Sequence, residues 1–423
     1  MCVMFSIFTP TNDLSFLIDA ANSIVNQTYK NLEWVVLFNG DVQPTNPVIR
    51  QLTDLLVSHN LKISINYTNT KDNIGKLKKE CCYLCTGDVL VELDHDDTLE
   101  PTCLQELYNT FKTDTVDFAY SDCYEYKDGE SIRPFSEKFG WKYTADDIGR
   151  HIMHAFEPSP LSFGYIWFSP NHVRAWRRSF YIKIGGHDSS MDVCDDHELL
   201  IRTYINGSCV RIPKPLYNYH IRTGRNTCYG VKNKKIQTIT RGLHDKYIDK
   251  LIDKWCDINH LSKIDLCCSY RKKEGYIGVD LHQLPGVDVV VDLDYKWPFD
   301  DGSVGVFHMR DAIEHLKDPI HTMKELHRCL APNGWVLIEV PSTDGRGAFQ
   351  DPTHVSFWNA NSFWYYTKQA QARYIGTPVK FQLNRILDYF PSKWHKLHNI
   401  PYVKAHLVKL SDDKFIPPGG REI

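Results

Sequence analysis

Short apolar runs rich in β-branched and aromatic residues alternate along the chain with helix-length amphipathic stretches. That alternation predicts α/β architecture with parallel sheets, because parallel strands are joined through crossover helices that cover the sheet. In the first half, strands are expected at Phe5–Thr9, Trp34–Phe38, Ile63–Tyr67, Val89–Leu93 and Phe118–Ser121. Helices are expected to begin near Asp13, Asn46 and Asn73, with Leu14, Leu17, Ile18, Ala21 and Ile24 on one face of the first. Irregular, aromatic-rich sequence follows from 123 to 180, and then a helix over Asp195–Asn206.

A basic, helix-compatible stretch, Val231–Lys254, reads as a connector, after which the alternation restarts. Strands are expected at Lys263–Cys267, Tyr276–Asp280, Asp288–Asp292, Val304–Met309 and Trp335–Val340, and near Phe381–Asp388 and Tyr402–Leu410. A second run beyond a connector argues for a second sheet. The length of 423 residues agrees, since single cores stop growing well below it. The expected organisation is a domain over 1–230, a helical connector over 231–260 and a second domain over 261–423.

Composition narrows the partners more than the fold. A net charge of −3 gives no support to a nucleic-acid partner, which usually rests on a basic excess. The N-terminus lacks the basic and apolar regions of a signal peptide, and no run approaches the roughly 20 apolar residues of a transmembrane helix. Thirteen cysteines, an odd number with one CxxC at Cys82–Cys85, suit a reducing compartment better than a disulfide framework. A cytoplasmic protein without a transmembrane segment is the expectation.

Two acidic motifs carry candidate chemistry. In Gly87–Pro101 a strand ends in Asp94-His95-Asp96-Asp97, and open α/β sheets bind ligands at the carboxyl ends of their strands. Carboxylates spaced D-x-D suit Mg²⁺ or Mn²⁺ bridging a diphosphate. The plainer reading is a solvated acidic turn with a helix N-cap at Thr98. The second motif is Gly185-Gly-His-Asp-Ser-Ser-Met-Asp-Val-Cys-Asp195-Asp196-His-Glu198, continuing to Arg202. A carboxylate at a helix start stays ionised in the field of the helix dipole, as a general base requires. Its plainer reading makes Asp195 an N-cap and Glu198 a capping-box partner.

With these motifs, residues 3–227 resemble the family 2 glycosyltransferases of the GT-A fold. Ser6-Ile-Phe-Thr9-Pro10-Thr-Asn12-Asp13 matches the family's first strand and loop, and Gln27–Gly40 its approach to the second. Asp72-Asn73-Ile-Gly-Lys-Leu-Lys-Lys79 matches a glycine-containing donor segment, and Leu93–Asp97 the D-x-D region. The resemblance implies donor contacts from Thr9, Pro10, Asn12, Asn39, Asn73, Lys79, Asp94, His95 and Asp96. It implies metal ligation by Asp96 and Asp94, with His220 of the segment Leu216–Thr227 as a further candidate. Asp196 is the first choice for catalytic base and Asp195 the second. Phe38-Asn39 departs from the acidic residues that many members place against the base, so the nucleotide is left open.

From about Lys263 the chain resembles a compact class I S-adenosylmethionine (SAM) methyltransferase, a Rossmann-like fold. Asp280 stands where the cofactor ribose is bound and Asp292 near the adenine. Pro298–Val304 and Asp311–Leu316 resemble the fourth-strand region, in which Glu314-His315 otherwise reads as a helix face beneath the sheet. Asp265-Leu-Cys267-Cys268-Ser269 stands where the family writes Asp-Leu-Gly-Cys-Gly. Those glycines allow close backbone approach. Either the pocket accepts small side chains, or the domain has lost SAM.

The leading reading is an inverting glycosyltransferase, dependent on Mn²⁺ or Mg²⁺. It moves a sugar from a nucleotide-diphosphate-sugar to a glycan or other hydroxyl acceptor in glycan or polysaccharide synthesis. The second domain would add SAM-dependent methylation of the glycan. The other reading is a methyltransferase with a non-catalytic, carbohydrate-binding N-terminal domain.

Overall fold

The computed structural model describes residues 3–71, 73–223, 232–377 and 380–410. The chain divides between Leu251 and Ile252 into two compact α/β units. In the first, strands Phe5–Thr11, Leu32–Asn39, Lys62–Thr68 and Val89–Glu92 run parallel, with Phe5–Thr11 between Leu32–Asn39 and Val89–Glu92. All eight residues of Leu32–Asn39 are buried, as in a sheet covered on both faces. The chain builds outward from Phe5–Thr11 on one side and then returns to its other side. A crevice opens at such a switch point, beyond the strands' carboxyl ends.

Local chemistry sets where the helices begin. Asp13 does not start the first helix, because its carboxylate accepts from both the backbone N–H and the hydroxyl of Ser15. Such a side-chain turn competes with helix. The helix is Leu17–Val25, burying Leu17, Ala20, Ala21, Ile24 and Val25. Asn46 caps Pro47–Ser58, and Asn73 caps Ile74–Leu84 by accepting from Lys76 N–H.

The stretch 123–180 holds more regular structure than its composition suggests. Strand Arg174–Arg177 inserts antiparallel between Val89–Glu92 and Phe118–Lys127. Cys209–Ile221 then pairs parallel with Phe118–Lys127, and Thr98–Leu99 pairs with it. Thr98 is therefore a strand residue and not an N-cap; the next helix is Cys103–Phe111.

Helix Asn233–Asn259 crosses the division between the units. Among the described residues, the second unit's seven strands lie in the order Val289–Val290, Ile277–Asp280, Ser262–Leu266, Val304–Arg310, Leu330–Pro341, Tyr402–Val408, Gln382–Tyr389. The first five are parallel, and Tyr402–Val408 is antiparallel to both its neighbours. Glu314-His315 does not form a helix face beneath this sheet. It belongs to a 3₁₀ turn, Ile313–His315, beyond the carboxyl end of Val304–Arg310. Among the described residues no disulfide forms and no helix is long and apolar enough to cross a membrane.

Candidate active site

A cavity of about 710 Å³ opens at the carboxyl ends of the first unit's parallel strands. Pro10, Thr11 and Asn12 reach it from the first strand, Asn39 from the second, and Asp94 and His95 from beyond the fourth. Asn73, Leu77 and Lys78 line it from one helix, Asp195 and Asp196 from the start of another. Asn73 ties two walls together: its carbonyl caps its own helix while its amide donates to Ser189 O at 2.8 Å.

The acidic turn divides its carboxylates between structure and solvent. Asp97 is buried and accepts from Tyr217 Oη at 2.9 Å and from His220 N–H at 2.7 Å. Burial, with Asp96 and Asp94 close by, pushes its carboxyl well above the usual range. Asp94 presents its backbone N–H to the same Tyr217 oxygen, at 3.2 Å. Asp96 is pushed up by burial and by Asp94, and its carboxylate lies 3.5 Å from Arg222 Nη1. Arg222 also donates to Asp96 O at 2.6 Å and stacks on Phe16.

Beside the turn is a buried set of opposed charges. Lys78 Nζ lies 2.5 Å from Glu92 Oε1 and 4.0 Å from Asp195 Oδ2. Arg174 Nη1 lies 2.9 Å from Asp196 Oδ2 and 3.7 Å from Glu92 Oε2. The two carboxyls of the helix start therefore differ. Burial pushes Asp195 up to about 7, the nearest cation being Lys78. Burial also opposes ionisation of Asp196, but Arg174 and Lys78 outweigh it and hold Asp196 below the ordinary range. The Asp196 side chain keeps 16% of its surface exposed and that of Asp195 only 5%.

Several expected residues take other roles. Thr9 is fully buried; its hydroxyl donates to Leu93 O at 2.7 Å and accepts from Trp34 Nε1, so it braces the sheet and does not line the cavity. Lys79 lies with Gly185–Ser190 outside the cavity, and Lys78 is the lysine turned inward, as one residue is a 100° step on a helix. His220 does not converge with Asp94 and Asp96 on a common point; its ring stacks on Tyr126 and its Nε2 lies 3.5 Å from Thr98 Oγ1. The capping box also fails: Cys194 holds the N-cap position, while Glu198 pairs with Arg202. Asp72 and residues 224–227 of the matched segments lie outside the described residues.

Sequence reasoning did not place Lys78, Glu92 or Arg174 in the site. A signal existed for the first two. Glu92 ends the apolar run Val89-Leu-Val, and Lys78 shares a helix face with buried Cys81 and Cys82. A charge on a buried face needs a partner.

In the second unit, Cys267 and Ser269 adopt φ of 53° and 47°, the left-handed conformation that favours glycine. Asp280 accepts from Ser269 N–H at 3.0 Å and from His282 N–H at 3.1 Å, so it anchors this loop. Asp265 accepts from Lys273 N–H and lies 2.7 Å from His308 Nδ1. Asp292 accepts from Asp294 N–H in a local turn.

Residues 6–185 match the family model described as Glycosyl transferase family 2, and residues 255–378 one described as Methyltransferase domain. RfbC, an O-antigen biosynthesis protein of Myxococcus xanthus, is 25% identical over 52% of this chain and 16% of its own length. Glycosyltransferase GlyG of Streptococcus pneumoniae serotype 4 is 19% identical, over 53% of this chain and 73% of GlyG. Glucosyl-dolichyl phosphate glucuronosyltransferase of Haloferax volcanii is 24% identical, over 46% of this chain and 57% of that enzyme. The chain thus spans a small part of RfbC and little more than half of the Haloferax enzyme. Among solved structures, S. aureus TarS 1–349 in complex with UDP-GlcNAc is similar at 13% identity and a TM-score of 0.44, over 60% of this chain and 73% of that one. By its two family matches, the chain joins a family 2 glycosyltransferase domain to a methyltransferase domain.

Proposed function

We propose that the first unit transfers a sugar, with inversion, from a nucleotide-diphosphate-sugar to a hydroxyl acceptor in glycan or polysaccharide synthesis. The observation that carries this reading is that Asp94, from a strand end, and Asp196, from a helix start, open onto one cavity. The family match supports sugar transfer, and an O-antigen biosynthesis protein among the relatives supports a glycan product.

Asp94 and Asp96 fit a divalent ion: their oxygens are hard donors, and Asp96 is pushed up by burial and by its neighbour's charge. An ion held by these two residues would supply positive charge to the leaving diphosphate. Asp196 accepts the proton of the acceptor hydroxyl as its oxygen attacks the anomeric carbon and the bond to the diphosphate breaks. A single displacement of this kind inverts the centre. Arg174 keeps Asp196 ionised and aligned. One observation favours Asp195 in its place: a carboxyl near 7 matches a base working at neutral pH.

For the second unit we propose SAM binding at the loop Asp265–Ser269 and Asp280, followed by methylation of the glycan. Support comes from the loop's glycine-like backbone at Cys267 and Ser269.

The experiment is thermal stabilisation of the whole chain by a panel of nucleotide-sugars with and without Mn²⁺. A ligand that binds only the folded state raises its stability. One donor should stabilise with Mn²⁺, and Asp96→Ala should abolish both this and transfer. Undiminished turnover by Asp96→Ala in the presence of chelator would rule out the metal's role.

A further inference from the structure

In the second unit, the segment 349–357 folds back over the turn that ends strand Val304–Arg310. The N–H groups of Val355 and Ser356 both donate to Glu314 O, at 2.8 and 3.0 Å, and Ser356 Oγ donates to Ile313 O at 2.9 Å. This clamp brings His354 onto Glu314 and His315. One ligand atom from each of the three residues lies within 4.8 Å of the others, and His354 Nε2 is 3.9 Å from Glu314 Oε1. Ligands held about 2.0–2.2 Å from one ion stand roughly 3–4 Å apart, so small side-chain movements close the set.

Two further observations point to a ligand. Glu314 is 2% exposed, yet neither of its carboxylate oxygens meets a donor at full hydrogen-bond geometry, with only the backbone N–H groups of Ala312 and Glu314 itself standing beside the carboxylate. Folded proteins rarely leave a buried carboxylate in that state. The histidines are also oriented. His354 Nδ1 lies 2.9 Å from Ala348 O, and His315 Nδ1 lies 3.2 Å from Thr353 O. A carbonyl can only accept, and the Thr353 hydroxyl, also 3.2 Å from His315 Nδ1, donates to Asp351 Oδ1, so Nδ1 carries the proton in both rings and Nε2 is left with a lone pair. Carbonyl-held imidazoles beside a carboxylate are how proteins prepare histidines for a metal.

We propose that Glu314, His315 and His354 bind one divalent transition-metal ion. Two imidazoles and a carboxylate suit zinc, cobalt or manganese better than magnesium or calcium, which take oxygen donors throughout. Three protein ligands leave positions open, the arrangement of sites that admit a further ligand.

The test uses the full chain, stripped with chelator and titrated with Zn²⁺ and, for its visible absorption, with Co²⁺. One equivalent should bind at this site, give a Co²⁺ spectrum characteristic of nitrogen ligation, and persist in Asp94→Ala and Asp96→Ala. That persistence separates it from any ion held by the glycosyltransferase unit. His315→Gln and His354→Gln, each checked for a natural circular dichroism spectrum, should weaken it at least tenfold. Glu314→Gln should weaken it likewise. No bound equivalent in the natural chain, or unchanged affinity in both histidine variants, would overturn the proposal.

Discussion

Arg174 Nη1 lies 2.9 Å from Asp196 Oδ2, while the carbonyls of Phe168 and Pro170 hold the same guanidinium from behind. The arginine comes from an inserted antiparallel strand and the aspartate from a helix start, so their meeting joins two parts of the cavity wall. An ion pair anchored at both ends fixes the carboxylate's direction as well as its charge.

The pH dependence of turnover follows from that pair. Arg174 and Lys78 overcome burial and hold Asp196 below 3.8, so its basic form persists in mildly acidic solution. With Asp196 as base, kcat/KM should stay level from about pH 8 to about pH 5. Asp196→Asn should lower kcat roughly 10²-fold or more with little change in donor affinity. If the rate instead falls tenfold per pH unit below 7, and Asp195→Asn is the crippled variant, the base is Asp195.

Glu125 should make stability depend on pH in the opposite sense to an ion-paired carboxylate. It lines the cavity, its Oε2 has no hydrogen-bond partner, and burial pushes it from 4.5 up to about 8. Between those values the folded chain keeps a proton that the unfolded chain has released. Its contribution is therefore full below 4.5 and is lost as the pH rises towards 8. Glu125→Gln should gain stability over the natural chain across that window, by at most about 1.4 kcal/mol per pH unit. Urea denaturation at pH 5 and pH 8 measures the difference.

Gly75 is where helix Ile74–Leu84 meets the loop before Asp195. A Cβ there would lie 2.3 Å from Asp188 O, 2.9 Å from Met191 O and 3.1 Å from Asp195 Cβ. Gly75→Ala should destabilise by about 1–3 kcal/mol and lower turnover through the displaced carboxylates. Gly242, in the long helix, meets nothing within 4 Å. Gly242→Ala should stabilise by up to about 1 kcal/mol, which makes it the matched control.

The loop Asp265–Ser269 offers a test of whether its two side chains obstruct or merely strain. Left-handed backbone costs an ordinary residue roughly 1–2 kcal/mol, and Cys267 and Ser269 both adopt it. Replacing both by glycine should relieve strain and tighten SAM binding, measured by calorimetry on the full chain. No binding heat in either protein would mark the unit as having lost SAM.

The alternation of apolar runs and amphipathic helices determined the α/β class of both halves, because buried strands and their crossover helices leave local periodic marks. The motif at Asp94–Asp97 and the acidic pair at Asp195-Asp196 were legible for the same reason: a strand end and a helix start are local events. The strand Arg174–Arg177 was not, since two arginines mask a segment whose partners are distant in sequence. Tertiary structure alone decided that Lys78 faces the cavity where Lys79 had been expected, that Thr9 braces the sheet, and that His220 stacks on Tyr126. It also brought His354 to Glu314 and His315. Side-chain direction and long-range convergence depend on how elements pack, and a one-residue step on a helix changes the face without changing the pattern of the chain.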